Sequence, residues 1–250
     1  MKTITITNEK GGTGKTATAQ AIGDGLTAAG HKVLYIDLDA QGSLSYILRA
    51  DEGQPGAFDV LEDPQTIRGA IQTTPQGADL IRGQRQLATA GDTLTDSGRA
   101  FHLKEALQII KKQYDFCIID TPPGLGIVTV NALAASNGAI ITALPDILSK
   151  RGIEQVGATI KGVKQHNKGL KVYGIVLTLY DRRKILHRQA AEQISATAAK
   201  IGTKVYDTKI RAGVSVQEAQ TRRQSLFDYA PKSNPAKDYA ELLKEVKGDL

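Results

Sequence analysis

KGGTGKT, at residues 10–16, joins a strand-like segment at 2–7 to a helix-like segment at 16–29. A strand, a glycine-rich turn and a helix in this order are the context that a phosphate-binding P-loop requires. Glycine has no Cβ atom, so the backbone can approach phosphate groups closely and point its N–H groups inward as an anion nest. The positive N-terminal end of the following helix reinforces this arrangement. The stretch therefore predicts a triphosphate site.

Two side chains of this loop have expected roles. Lys15 is expected to reach the β- and γ-phosphates, and the Thr16 hydroxyl to bind Mg²⁺. The loop is a variant, because Glu9 stands where the usual pattern has a glycine. An additional lysine, Lys10, directly precedes the glycines.

Two acidic segments fit the same site. The stretch at 34–39 ends a strand with Asp37 and Asp39, and the apolar run at 116–119 ends at Asp120. In parallel sheets, ligands bind outside the carboxyl ends of the strands. We therefore expect Asp120 to hold Mg²⁺ through a water molecule, and Asp39 to orient the attacking water.

The segment TPPG, at 121–124, follows Asp120 directly. A stiff Pro-Pro pair beside a glycine has two interpretations. It is either a switch that responds to the γ-phosphate or a rigid loop.

Strand-like and helix-like segments alternate along the chain. The predicted strands are 2–7, 33–36, 79–82, 116–119, 138–143, 171–179 and 203–206. The predicted helices are 16–29, 44–48, 60–62, 101–113, 153–163, 185–201, 214–219 and 236–247. Several strands are apolar on both faces, which is typical of a mostly parallel, twisted sheet covered by helices on both faces. The prediction is a single α/β domain of the P-loop NTPase class over 1–250, whose least readable part is 41–98.

Composition limits the remaining classes. Of the 250 residues, 41% are hydrophobic, which is enough for one sizeable core. The one cysteine, Cys117, lies in an apolar run and is interpreted as a core residue, which fits a reducing compartment. No apolar run approaches the ~18 residues of a membrane span, and the first twelve residues do not resemble a signal peptide. A cytoplasmic location is expected.

The net charge of +6 is unevenly distributed. Residues 1–150 hold 13 Lys and Arg against 16 Asp and Glu, a net charge of −3, whereas residues 151–250 hold 19 against 10, a net charge of +9. This basic part indicates either a polyanionic partner or ordinary solvated helix faces.

The chain resembles the ParA family of partition ATPases, within the deviant Walker A (MinD/ParA) class. The likeness runs nearly from end to end. Its motifs are NEKGGTGKT (8–16), YIDLDAQGS (35–43), CIIDTPPGLG (117–126), GIVLTLYDRR (174–183) and SLFDYAPKSNPAKDYAELLKE (225–245).

The resemblance implies roles for individual residues. Lys10 matches the signature lysine that crosses a dimer interface to the partner's phosphates, and Asp39 matches the residue that positions the hydrolytic water. The implied catalytic residues are Lys10, Lys15, Asp39 and Asp120. The implied nucleotide-binding residues are Lys10, Gly11, Gly12, Thr13, Gly14, Lys15, Thr16, Ala17, Asp37, Asp39, Pro122, Thr178, Ile210 and Arg211. The implied Mg²⁺-site residues are Thr16 and, through water, Asp120 and Asp39.

The resemblance also implies a working cycle. ATP and Mg²⁺ would produce a homodimer that binds double-stranded DNA without sequence preference, and a ParB-type protein would stimulate slow hydrolysis and release it. The protein would then be associated with the nucleoid. The basic residues expected at the DNA are Arg182, Arg183, Arg211, Arg222, Arg223 and Lys232.

The sequence departs from the family pattern at several positions. Ala17 and Ala40 stand where a threonine and a proline are usual, and 208–211 lacks a proline often found near the adenine. No helix-turn-helix precedes the first strand, which argues against operator binding.

Other functions remain as alternatives. One is a MinD-like membrane-associated ATPase, although the tail at 239–250 is short and carries both charge signs. Another is a nucleotide-binding regulatory adaptor with little turnover. A carrier of an iron–sulfur cluster held only by cysteines is excluded by the single cysteine.

Overall fold

The computed structural model describes residues 1–94 and 97–250. Its centre is a seven-stranded sheet in the order β3-β4-β2-β5-β1-β6-β7. The strands are β1 (Lys2–Thr7), β2 (Val33–Asp37), β3 (Ile71–Thr73), β4 (Asp79–Ile81), β5 (Phe116–Asp120), β6 (Gly138–Ala143) and β7 (Lys171–Leu177). All neighbours are parallel except β3 and β4, so the predicted mostly parallel α/β fold is confirmed.

The register of the central strands brings the acidic side chains together. β1 lies between β5 and β6, and the loop that leaves it begins beside the end of β5, where Ile6 pairs with Asp120. On the other side of β5, Asp37 pairs with Asp120. The P-loop and both acidic strand ends therefore share one edge of the sheet, as the sequence predicts.

Helices cover both faces of the sheet. They are α1 (Lys15–Ala28), α2 (Ser43–Ile47), α3 (Ala57–Glu62), α4 (Ile67–Ala70), α5 (Ala90–Thr93), α6 (His102–Ile110), α7 (Ile127–Ala135), α8 (Ser149–Val163), α9 (Ile185–Lys200), α10 (Val214–Thr221), α11 (Leu226–Tyr229) and α12 (Asn234–Asp249). Short 3₁₀ turns occur at Pro64–Thr66, Arg85–Thr89 and Ser97–Phe101. On one face, α1 and α12 pack over Ile4 and Ile6. On the other face, α6 to α9 form a contiguous layer.

Two parts of the sheet and four helices differ from the sequence prediction, and three of those helices, α4, α5 and α11, have only four residues each. Residues 203–206 do not form the predicted strand: they contribute only an isolated bridge between Val205 and Ile175. β3 was not predicted, because its three residues, two half-buried and one exposed, are too few to show an alternating pattern. α7 was also not predicted, because its residues are apolar on nearly all sides and show no helical periodicity.

A tight contact joins α1 to β2. The Tyr35 hydroxyl donates to Asp24 Oδ1 at 2.8 Å and lies against Gly23, where a Cβ atom would overlap the tyrosine ring. Both polar groups are buried, and burial raises the pKa of Asp24. Gly23 therefore allows the first helix to lie close to the sheet.

Across the described residues, no helix combines the length and the apolar character needed to cross a bilayer.

Candidate functional site

The P-loop has the backbone that its glycines permit. Gly12 and Gly14 have φ angles of +72° and +80°, in the left-handed region that favours glycine. A Cβ atom on Gly14 would also lie 3.3 Å from Thr178 Cγ2. α1 begins at the next residue, Lys15, so its free N–H groups face the loop.

The Lys15 side chain lies against the backbone of its own P-loop. Its ammonium group is largely buried and donates to the Lys10 carbonyl at 2.8 Å. Burial lowers the pKa of Lys15, while the nearby carboxylates of Asp120 and Asp39 raise it. Phosphate groups bound in the loop would place negative charge beside this buried ammonium and stabilise its protonated form.

Thr16 and Asp120 are in direct contact. The Thr16 hydroxyl donates to Asp120 Oδ2 at 2.6 Å. The other carboxylate oxygen, Oδ1, is buried and has no hydrogen-bond partner in the described residues. Burial, followed by the charge of Asp37, raises the pKa of Asp120 well above its usual range.

This pair fits a magnesium ion. Mg²⁺ prefers hard oxygen ligands and usually keeps several waters, bound through one or two protein groups and substrate phosphates. A hydroxyl and a carboxylate with one free, buried oxygen supply such a set. A bound cation would also stabilise the charged form of Asp120.

Asp37 and Asp39 have different surroundings. Asp39 is half-buried, accepts a hydrogen bond from the Gln41 N–H at 3.0 Å and lines the groove beside the P-loop. Asp37 is fully buried and accepts hydrogen bonds from the Ser45 N–H and hydroxyl at 2.8 and 2.7 Å, and from the Asp39 N–H at 3.0 Å. Burial raises the pKa of Asp37 to about 6. Asp37 thus holds the loop that carries Asp39, and it does not line the groove.

Lys10 points toward another segment of the same chain. Its ammonium nitrogen lies 3.5 Å from Asp146 Oδ1, in the loop between β6 and α8. Asp146 also accepts a hydrogen bond from the Ser149 N–H at 2.7 Å, at the start of α8. Lys10, which is expected to cross a dimer interface, therefore contacts a carboxylate of its own chain.

A groove of about 450 Å³ runs along the P-loop. Of the expected nucleotide-binding residues, it is lined by Gly11, Gly12, Gly14, Lys15, Thr16, Ala17, Asp39, Thr178, Ile210 and Arg211. Lys10, Thr13, Asp37 and Pro122 do not line it. Thr13 is buried and holds the loop in place through Thr142 and Thr178. Pro123 lines the groove instead of Pro122.

The groove is also lined by residues that are not in the set expected from the sequence. They are Ser43, Ile47, Leu179, Gly213, Val216, Gln217, Gln220 and Tyr239. Four of them, Gly213, Val216, Gln217 and Gln220, belong to α10 and its approach, which no sequence motif marks and which chain folding brings against the P-loop from a separation of about two hundred residues.

The expected DNA-binding residues form more than one cluster. Arg182, Arg183 and Arg211 line one shared cavity. Arg183 is bound by Asp181 through two hydrogen bonds of 3.1 and 3.0 Å, and Arg211 is bound by Asp238 at 2.9 and 2.6 Å. These carboxylates already compensate both guanidinium charges, which the sequence alone does not show.

The remaining members of that set lie elsewhere. Arg222 stacks over Tyr229 at 5.7 Å, and Lys232 is exposed. Arg223 stacks on Tyr46 at 3.8 Å and lines a different cavity.

A glycine-rich loop, its lysine and threonine, and strand-end carboxylates on a parallel sheet define a P-loop nucleoside triphosphatase, here with an additional lysine before the glycines. The family model described as an AAA domain matches residues 1–172. The sporulation initiation inhibitor protein Soj of Bacillus subtilis is 37% identical over 251 residues, 98% of each chain. The chromosome partitioning protein ParA of Caulobacter vibrioides is 34% identical over 253 residues, 98% of this chain and 94% of that one. The chain therefore belongs to the ParA family of partition ATPases.

A solved structure supports the same fold. The cobyrinic acid a,c-diamide synthase of Mycobacterium smegmatis, with a bound ATP analogue and magnesium, has a TM-score of 0.83 and 31% identity. The match covers 98% of this chain and 93% of that one.

Proposed function

We propose that this chain binds Mg²⁺–ATP in the groove beside the P-loop and hydrolyses it. The observation that carries the proposal is the Thr16–Asp120 pair at 2.6 Å, whose second carboxylate oxygen has no hydrogen-bond partner among the described residues, together with the buried Lys15 ammonium that Asp120 attracts electrostatically. When bound, Mg²⁺ would neutralise phosphate charge during transfer. Lys15 and the P-loop N–H groups hold the phosphates, and Asp39 orients the attacking water.

ATP binding then joins two copies of the chain, with Lys10 reaching the partner's phosphates. Support comes from the loop that contains Asp146. The next two side chains, Ile147 and Leu148, are 72% and 66% exposed. Burying adjacent large apolar side chains against a second copy is favourable. Dimer formation would also replace the Lys10–Asp146 contact with a contact between Lys10 and a phosphate bound to the partner.

The dimer binds double-stranded DNA without sequence preference. Support comes from exposed basic side chains after β7 and near α11, chiefly Arg182, Arg183, Arg222 and Lys232. Such contacts to phosphates are additive and salt-sensitive. Dimerisation would double their number on one assembly, which explains why nucleotide would control DNA affinity.

A ParB-type centromere-binding protein would accelerate hydrolysis and release the dimer. Cargo movement over the nucleoid in the cytoplasm would follow from this cycle of binding and release. In this proposal, residues 1–250 act as one ATPase domain.

The decisive experiment measures binding to a duplex of random sequence in the presence of ADP, ATP or a nonhydrolysable ATP analogue. We expect tight binding with ATP and the analogue and weak binding with ADP. The Lys15→Ala variant should lose ATP and DNA binding together, whereas Lys161→Ala on α8 serves as the control. Equal DNA affinity in every nucleotide state would refute the proposal, as would wild-type ATP affinity in Lys15→Ala.

The MinD-like alternative receives less support from the structure. The large apolar residues of α12, Tyr239, Leu242 and Val246, are buried in the core. A membrane-binding helix instead presents its apolar face outward. Sedimentation with anionic liposomes and ATP separates the two functions, and a single-turnover assay with DNA tests the adaptor.

A further inference from the structure

A second cavity, of about 410 Å³, lies behind the loop that carries Asp39. Four arginines line it: Arg49, Arg82, Arg85 and Arg223. We call it the arginine pocket. These arginines come from three stretches of the chain: the end of α2, the stretch from the end of β4 to the 3₁₀ turn at Arg85–Thr89, and the end of α10. One carboxylate, Glu52, also lines the cavity.

The charges of these arginines are not compensated by ion pairs. Among the residues that the structure describes, no carboxylate lies within 4.0 Å of any of the four guanidinium groups. Arg82 donates to the neutral carbonyls of Gln54 and Gly83, and Arg223 lies on the Tyr46 ring. Arg183 and Arg211, in contrast, are held by carboxylates. The pocket therefore concentrates positive charge.

Two of the four arginines have a strained backbone. Arg49 and Arg223 have φ angles of +61° and +53°, a conformation that glycine adopts far more readily. Each of them follows a helix and closes its C-terminal turn, with hydrogen bonds from the Ala50 N–H to the Ser45 carbonyl and from the Gln224 N–H to the Ala219 carbonyl. These two turns direct both side chains to the same cavity.

We propose that the arginine pocket binds a small molecule that carries at least two phosphate groups. Guanidinium groups bind phosphate oxygens through paired, parallel hydrogen bonds. The cavity has the volume of a small-ligand site. Arginines from three stretches of the chain line this one cavity, which suits a compact polyphosphate better than the side of a DNA duplex.

The position of the pocket couples it to hydrolysis, and this step depends on the proposed ATPase function. Gln41 and Gly42 line the pocket and also bind Asp39: their N–H groups donate to its carboxylate at 3.0 Å and its carbonyl at 2.9 Å. Ser45, another wall residue, holds Asp37. A ligand against this wall changes the position of Asp39 and with it the hydrolysis rate.

The test titrates sodium pyrophosphate into protein saturated with Mg²⁺–ADP, by calorimetry. The ADP titration comes first, because its failure counts against the proposed function and not against the pocket. We expect one pyrophosphate site per chain, at least tenfold weaker in Arg85→Gln and in Arg49→Gly, and unchanged in the control Arg68→Gln on α4. Arg49→Gly relieves the strained backbone, so its melting temperature should not fall.

A second arm uses a 20-base-pair duplex and the ATPase rate. Pyrophosphate should change the rate at least twofold in the wild type and not in Arg85→Gln. Absence of pyrophosphate binding to ADP-saturated protein would overturn the inference. So would unchanged binding in both pocket variants, or variants that weaken duplex binding alone, since the pocket would then belong to the DNA surface.

Discussion

Lys10 Nζ lies 3.5 Å from Asp146 Oδ1, within one subunit. Both side chains are partly exposed, so the pair itself contributes little to stability. The contact matters because it fixes the position of Lys10. This lysine is expected to reach a partner's phosphates, but here it is bound by its own chain.

Asp146→Asn should release Lys10 and promote ATP-dependent dimerisation. Asparagine retains an oxygen for the Ser149 N–H, so the start of α8 is preserved. We expect half-maximal dimer formation at an ATP concentration several-fold lower, measured by light scattering. Glu154→Gln on the same helix is the control. The effect should disappear in a Lys10→Ala background, and persistence there would show that Asp146 acts on something else.

Asp39→Ala should separate ATP binding from hydrolysis. Asp39 lines the groove, and among the described residues its side chain accepts a hydrogen bond only from the Gln41 N–H. We expect near-normal ATP affinity, a turnover lower by about 100-fold and a dimer that remains on DNA. Asp92→Ala on α5 is the control. Normal turnover of the Asp39 variant would remove this residue from the reaction.

Asp120→Asn should stabilise the nucleotide-free protein while removing its response to Mg²⁺–ATP. Folding raises the pKa of Asp120, so its carboxyl group contributes fully to stability below the pKa that it has in the unfolded chain. This contribution is lost as pH rises through the pKa that it has in the folded chain. Asparagine stays neutral, so the variant's gain in free energy of unfolding over the wild type should be small near pH 4 and grow as pH rises. The full gain is on the order of 1 kcal/mol for each unit by which folding raises the pKa of Asp120. Thermal melts across pH, with and without Mg²⁺–ATP, measure both effects. Equal stability of the two proteins at every pH would contradict the burial argument.

Asp181→Asn should strengthen DNA binding. Hydrogen bonds from the Arg183 side chain lower the pKa of Asp181 to about 2, so the carboxylate is charged at neutral pH and compensates the guanidinium. Removing that charge frees Arg183 for a phosphate, and the salt slope of DNA binding should steepen by about 0.9 per subunit. Fluorescence anisotropy across salt concentrations measures the slope.

The control for this charge change is Glu192→Gln on α9, which removes one negative charge elsewhere. Adding Arg183→Ala to Asp181→Asn should reverse the gain. A slope equal to that of the wild type would exclude Arg183 from the DNA surface.

Gly23→Ala should destabilise the fold, whereas Gly69→Ala should not. A Cβ atom on Gly23 meets the buried Tyr35 ring, while one on Gly69 has nothing within 4 Å. Overpacking at Gly23 should cost about 2 kcal/mol. Gly69 lies in α4, where alanine is favoured by up to about 1 kcal/mol. Denaturant unfolding compares the two, and equal stabilities would show that Tyr35 can move aside.

Local residue chemistry was sufficient to predict the centre of the site. The P-loop is contiguous, so its glycines, lysine and threonine lie together as soon as that segment folds. Asp120 follows a buried run, so its place at the end of a parallel strand was also predictable. α7 was not, because a helix buried on nearly every side has no polar face to reveal its period.

By itself, the sequence determined the fold class, the phosphate loop and the strand-end carboxylates, since each depends on residues close together in the chain. Only the tertiary structure decided that Asp37 holds Ser45 while Asp39 faces the groove, that Asp238 binds Arg211, and that four arginines share one pocket. These relationships join residues far apart in the chain. Their partners are selected by the packing of segments against one another, which local pattern does not encode.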